Sequence, residues 1–156
     1  MPAGSASATK SILVAVDTNL LVYAHRTDAP FHFPARALLE ALAVGARPWA
    51  IPWPCVHEYL AIVTNARIFK TPTPTPTALG QLHALEQLPN LAFIGEGDAY
   101  LKTLGEIALA GQIRGGAIHD ARIAAICLYH GVSELLSADR DFSRFPALPT
   151  RNPLAG

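Results

Sequence analysis

Five consecutive apolar residues, Ile12 to Val16, break off at Asp17-Thr18-Asn19, and this junction constrains the fold more than any other stretch. A continuous run rich in β-branched side chains suits a strand covered on both faces, as in a parallel sheet flanked by helices. Leu20, Leu21 and Tyr23-Ala24 then begin a helical period. The same alternation recurs along the chain. Pro34 to Val44 reads as an amphipathic helix closed by Gly45, and Trp49 to Ile51 as a short strand. Pro52-Trp53-Pro54 turns into a helix expected to run on through Phe69, with Pro54 in its first turn. The Thr-Pro alternation at 71 to 77 is a stiff spacer, with Thr77 as the expected N-cap of the helix that follows. Leu91 to Ile94 is a third strand and Asp98 to Ala110 another helix. After Gly115-Gly116, Ala117 to His130 is apolar on nearly every side, the mark of a helix packed into the core, and Gly131 ends it. Val132 to Ser137 is a fourth strand, and Leu148 to Arg151 a last extended piece.

Strands alternating with helices over short connections predict an α/β, three-layer domain with a central, mostly parallel sheet of four to five strands and right-handed crossovers. The chain has 156 residues, of which 51% are hydrophobic and 15% charged, with 12 acidic and 12 basic side chains. That composition excludes a disordered segment, a coiled coil and a globally basic nucleic-acid binder. Residues 1–10 read as a polar tail without the features of a secretory leader, which leaves 11–156 as one domain. No apolar run approaches the ~18 residues of a membrane span, so the expectation is a soluble, cytoplasmic protein. Cys55 and Cys127 belong to no C-x-x-C pattern and have apolar neighbours, as expected of buried reduced thiols.

Four carboxylates share one kind of address. Asp17 and Asp139 sit where apolar strands end; Glu58 and Asp120 sit in the opening turns of helices. In an open parallel sheet, strand C-termini and the N-termini of the following helices lie along one edge, where such folds place their sites. Asp120 shares a helix side with Ala117, Ala124 and Cys127, and Glu58 with Ala61 and Ile62. Acids on such stripes need a counter-charge or must take up protons. The nearest lysines in sequence are Lys10 and Lys70, so divalent cations are the economical partner. Oxygen ligands without Cys or an H-x-x-x-H spacing favour Mg²⁺ or Mn²⁺ over zinc. Such a site suits phosphodiester hydrolysis, because the ion lowers the pKa of water and neutralises phosphate charge. Singly, each acid also has a structural reading, as an N-cap or a partner of a helix dipole.

The segments VDTNLLVYAHR, PWPCVHEYLAIVTNARIF, IHDARIAAICLYHG and LLSADRDFSRFP, in that order and spacing, resemble the motifs of PIN-domain ribonucleases. They look most like the VapC-type toxins of bacterial toxin-antitoxin modules, and the likeness runs from about Ile12 to the C-terminus. It implies a PIN-like fold and a Mg²⁺ or Mn²⁺ site on Asp17, Glu58, Asp120 and Asp139, with Asp141 as an auxiliary acid and Asn19 and Ser137 as supporting polar groups. It implies further a metal-dependent endoribonuclease that inhibits translation and growth, acts on RNA such as tRNA or rRNA, forms a homodimer, and is held by a small VapB-type antitoxin. The alternative is a non-catalytic PIN-fold scaffold working through protein contacts, which predicts an eroded quartet; the quartet here is complete.

Without those four acids the chain carries 12 bases against 8 acids, and nine of the bases are Arg, suited to forked phosphate contacts. Arg26, Arg114, Arg122 and Arg140 lie near the expected edge and are the candidate substrate-binding cations. His57 and His119 precede site acids, but adjacent helix positions point about 100° apart, so packing or supporting roles are expected. A haloacid-dehalogenase-type phosphatase needs a second Asp at the position of Asn19, and a receiver domain lacks its partner lysine here.

Overall fold

The computed structural model describes residues 12–155, with the side chain of Asp141 outside the description; the expected tail at 1–10 lies outside the described residues. Strands β1 (Val14–Val16), β2 (Trp49–Pro52), β3 (Leu91–Ile94), β4 (Glu134–Leu136) and β5 (Thr150–Arg151) form one parallel sheet in the order β3-β2-β1-β4-β5. Its register pairs Ala15 with both Ala50 and Leu135. Six helices accompany it: α1 (Thr18–His25), α2 (His32–Val44), α3 (Trp53–Val63), α4 (Thr75–Glu86), α5 (Tyr100–Ala110) and α6 (Ile118–Tyr129).

The chain winds outward from β1 to β3, then returns past β1 to continue as β4 and β5. With right-handed crossovers, that reversal puts α1 to α4 on one face and α5 and α6 on the other. The helix contacts agree: α1 packs on α2 and α3, α3 on α4, and α5 on α6. This is the expected three-layer α/β/α arrangement. The reversal also makes the gap between the C-terminal ends of β1 and β4 the topological switch point, where open α/β sheets leave a crevice.

The sheet is buried because its strands carry no polar alternation. Ala15, Val16, Trp49, Ala50, Ile51 and Leu135 have no exposed surface. On α6, Ala121, Ile123, Ala124, Ala125, Ile126 and Cys127 are all buried, so this helix is covered nearly all round. Gly131 stops it at a left-handed φ of 73°, and Val132 N–H donates to Cys127 O at 2.9 Å, a closure that glycine adopts without strain.

Several boundaries differ from expectation for local reasons. Helix α3 ends at Val63 instead of Phe69, because Thr64 Oγ1 donates to Leu60 O at 2.6 Å and Asn65 Oδ1 accepts from Arg67 N at 2.8 Å. Side chains of this type compete with the helical ladder for backbone groups. Thr77 is not the N-cap of α4, which already starts at Thr75 after extended Pro74, with Pro76 tolerated in the first turn. Helix α5 starts at Tyr100 after Ala99 enters the left-handed region at φ 62°, and β4 and β5 are each shorter than the expected extended segments. Among the described residues, no helix is long and apolar enough to cross a membrane.

Candidate active site

The crevice is built on Asp17. Its backbone N–H donates to Leu136 O at 3.0 Å, continuing the β1–β4 pairing one residue beyond the strand. Its side chain then caps α1, with Oδ1 accepting from Thr18 N at 2.8 Å. The other oxygen, Oδ2, accepts from Ser137 Oγ at 2.7 Å. Cys55 Sγ donates to Oδ1 at 3.4 Å from the first turn of α3. The carboxyl is therefore 4% exposed yet braced from β4, α1 and α3.

Asn19 and Ser137 weld the two strand ends together. Asn19 Nδ2 donates to Ser137 Oγ at 3.2 Å, and Asn19 Oδ1 accepts from Ala138 N at 3.1 Å. Asp139 N donates to Ser137 Oγ at 2.9 Å, so the backbone of Asp139 is tied to the hydroxyl that holds Asp17. The side chains of Asp17, Asn19 and Ser137 and the backbone N–H groups of Ala138 and Asp139 thus meet across the β1–β4 gap.

The carboxylates act on one another through space. Burial is the main force raising the pKa of Asp17; the bonds from Ser137, Thr18 and Cys55 oppose it, and the Asp139 charge adds to the rise. Glu58 is also raised, first by partial desolvation and then by the charges of Asp17 and Asp120, while His119 and Thr18 oppose the rise. By surface area Glu58 is exposed and Asp120 and Asp139 are half-buried, so water reaches this rim. Asp17 thus feels Asp139, and Glu58 feels Asp17 and Asp120, an array open to solvent on one side. Among the described residues, no three His, Cys, Asp or Glu side chains stand close enough to enclose a metal ion as they are. The four acids enter the edge from the ends of two strands and the opening turns of two helices.

That open array still suits a hard cation. Mg²⁺ keeps several of its waters and uses one or two carboxylates, so it needs a shared edge more than a closed cage. Thr18 Oγ1 is buried with no hydrogen-bond partner of good geometry, yet lies close enough to Glu58 to favour its charged form. An unsatisfied hydroxyl beside mutually repelling carboxylates is an environment completed by a cation with its waters.

The candidate cations divide. Arg26 is committed away from the edge: its guanidinium pairs with Asp28, donates to Thr71 O at 2.8 Å and Thr73 Oγ1 at 3.1 Å, and lies 4.1 Å from the Phe69 ring centroid. It caps the C-terminal end of α1, about 12 Å of helix from Asp17, and latches the Thr-Pro segment. Arg122 bonds Glu96 Oε2 at 2.6 Å. Arg114 is exposed ahead of α6, and Arg140 lies beside Asp139 at the crevice. Two groups go beyond the sequence expectations. Cys55 is not merely a packed thiol, and its spacing of three residues before Glu58 on α3 was the available signal. His119, expected to pack or to support the site, acts on Glu58 through its charge from the start of α6.

The PIN-domain family model matches residues 14–148. The chain belongs to the PIN-domain family. A VapC ribonuclease of Mycobacterium bovis is 36% identical over 144 residues, 92% of this chain and 97% of the relative. Ribonuclease VapC48 of Mycobacterium tuberculosis is 28% identical over 140 residues, 90% of this chain and 97% of the relative. Among solved structures, VapBC2 of Rickettsia felis bound to a promoter DNA fragment superposes with a TM-score of 0.65 at 21% identity, covering 90% of this chain and 98% of that one. VapC20 of Mycobacterium tuberculosis, a sarcin-ricin loop cleaving toxin, does so with a TM-score of 0.61 at 15% identity, covering 83% and 92%. These two likenesses concern the PIN fold; the sequence relationship places the chain with the VapC ribonucleases.

Proposed function

We propose that this PIN-domain protein is a Mg²⁺- or Mn²⁺-dependent endoribonuclease and the toxin of a toxin-antitoxin pair, inhibiting translation and growth in the cytoplasm. The observation that carries this reading is the buried Asp17 carboxylate, braced by Ser137, Thr18 and Cys55 and acted on by the charges of Asp139 and Glu58. The full-length relationship to a VapC ribonuclease supports it. Asp17, Glu58, Asp120 and Asp139 would hold the divalent ion, which would supply an acidified water and neutralise phosphate charge. The chain's own part is positioning. Ser137 and Asn19 hold the ends of β1 and β4 in one geometry, so Asp17 and Asp139 present their carboxylates without rearranging. Hydrolysis adds water across the P–O3′ bond and leaves 5′-phosphate and 3′-hydroxyl ends. Solved structures of the same fold include VapBC2 of Rickettsia felis and VapBC-1 of Haemophilus influenzae, which supports a small VapB-type antitoxin as partner for this chain; a homodimer and one domain over 11–156 complete the reading.

The deciding experiment incubates partner-free protein with total bacterial RNA in Mg²⁺, Mn²⁺ or chelator and maps the ends. Cleavage that needs the ion, leaves 5′-phosphates and is lost in Asp17→Asn is the expected result. Activity that survives chelator, or cyclic-phosphate ends, overturns it. No cleavage, with partner binding intact after all four acids are neutralised, establishes the scaffold instead.

A further inference from the structure

Beside the carboxylate edge lies a second feature that the proposed hydrolysis leaves unused. The turn Arg140–Arg144 and the C-terminal segment after β5 enclose a cleft of about 570 Å³, within the ~300–1,000 Å³ range of small-ligand sites. Its lining includes Asp139, Arg140, Phe142, Ser143, Phe145 and Asn152. Phe142 and Phe145 are buried beneath the cleft, tilted against each other with centroids 6.0 Å apart, and the exposed apolar surface of its floor comes from Pro146 and Pro149. Ser143 and Asn152 are exposed at the rim. Asn152 Oδ1 accepts from Leu154 N at 2.9 Å, which orients the amide and leaves its NH₂ as the remaining donor.

Asp139 belongs to both the edge and the cleft, so an occupant of the cleft reaches the site of hydrolysis without a gap. We propose, resting on the ribonuclease reading, that the cleft receives the base of an unpaired nucleotide next to the bond that is cut. The chemistry of the walls selects this occupant. A base has flat apolar faces for the floor and hydrogen-bonding edges for Ser143 and Asn152, and its phosphate has Arg140 at the mouth. An acidic peptide entering here meets Asp139, whereas a neutral base carries no such penalty. A paired base cannot enter, since it must first leave its stack. The cleft therefore restricts cutting to loops and reads the identity of one base beside the scissile bond.

The test compares two substrates in Mn²⁺, an RNA with a randomised loop and the same RNA with abasic ribose at every loop position, a diester without a base. The variants are Ala155→Trp, which fills the cleft from its exposed rim, and Ser143→Ala, which removes one rim hydroxyl; neither residue belongs to the carboxylate edge. In Ala155→Trp, kcat/KM for RNA is expected to fall roughly tenfold to a hundredfold, as for loss of one stacked base, with the base-free diester cleaved at the wild-type rate. Ser143→Ala shifts the preferred base at one position and leaves the melting temperature unchanged, which covers the case of an Ala155→Trp variant that does not fold. If wild type cleaves both substrates and the variants lose both equally, or lose neither, the base pocket is overturned and the ribonuclease reading stands. If Ala155→Trp loses only a protein partner, the cleft is a protein site and the proposal is wrong. Wild type that cleaves neither substrate overturns the ribonuclease reading and this proposal with it.

Discussion

Ser137 Oγ donates to Asp17 Oδ2 at 2.7 Å, joining the ends of two neighbouring strands across 120 positions of sequence. The same oxygen accepts from Asp139 N and Asn19 Nδ2, so one hydroxyl organises three of the polar groups in the crevice. A hydrogen bond to a charged group is worth about 1.5–3 kcal/mol. Ser137→Ala is expected to lower stability to urea by about 2 kcal/mol on that basis, and to weaken RNA cleavage. Ser137→Thr, which keeps the hydroxyl, should recover most of both. Wild-type stability in the alanine variant would remove Ser137 from the framework.

Asp17→Asn separates the costs of this carboxylate from its use. Burial and the Asp139 charge both disfavour the ionised form, so the metal-free variant should be as stable as wild type at neutral pH, or more stable. Its RNA cleavage should fall by more than about a hundredfold, since several kcal/mol of transition-state stabilisation depend on ion binding and each tenfold is ~1.4 kcal/mol. Differential scanning with and without Mn²⁺ should show the stabilisation by metal lost as well.

The pH dependence follows from the raised values of Asp17 and Glu58. Their ordinary values are 3.8 and 4.5, and the folded values lie above these. Between the two, the folded state binds more protons than the unfolded state, so the stability contributed by these groups falls as pH rises through that window and stays low above it. The expected readout is a difference. The gap in melting temperature between an Asp17→Asn, Glu58→Gln double variant and metal-free wild type should widen from pH 4 toward neutrality. Adding Mn²⁺ to wild type should narrow it at neutral pH more than at pH 4. A gap independent of pH contradicts the assignment.

Tyr59 carries a similar cost without a functional return. It is 3% exposed, its hydroxyl has no hydrogen-bond partner, and burial pushes its pKa up to about 12. Tyr59→Phe should gain about 1 kcal/mol by removing an unsatisfied polar group. In ultraviolet titration, one of the four tyrosines should ionise only near pH 12. Above pH 10 the unfolded tyrosine ionises before the folded one, so this group makes the fold less stable as pH rises toward 12.

Arg26 sits at the far end of α1 from Asp17. Its bonds to Thr71, Thr73 and Asp28 hold the Thr-Pro segment against α1. Arg26→Ala should cost about 2 kcal/mol of stability and leave kcat and KM for RNA within about twofold at a temperature where the variant is folded. A selective rise in KM would return Arg26 to the substrate.

The strand-to-acid junctions were legible in sequence because their signals are local. A β-branched run that stops at Asp17, and the short segment Val132 to Leu136 that stops at Ser137-Ala138-Asp139, specify strands and polar ends without reference to the rest of the chain. Helix α6 was legible for the same reason, since nearly every position from Ala121 to Cys127 is apolar and buried. The end of α3 was less visible, because Thr64 and Asn65 are ordinary helix residues until their side chains capture backbone groups.

By itself the sequence determined the alternation of strands and helices and the chemistry available at their ends, because hydrophobic period and residue type are properties of short windows. Only the tertiary structure decided that β1 lies between β2 and β4, and therefore that Asp17 meets Ser137, Asp139 and Cys55. It also decided that Arg26 faces the Thr-Pro segment. Each of these depends on contacts between distant positions, set by how strands order and helices pack, and no local pattern encodes them.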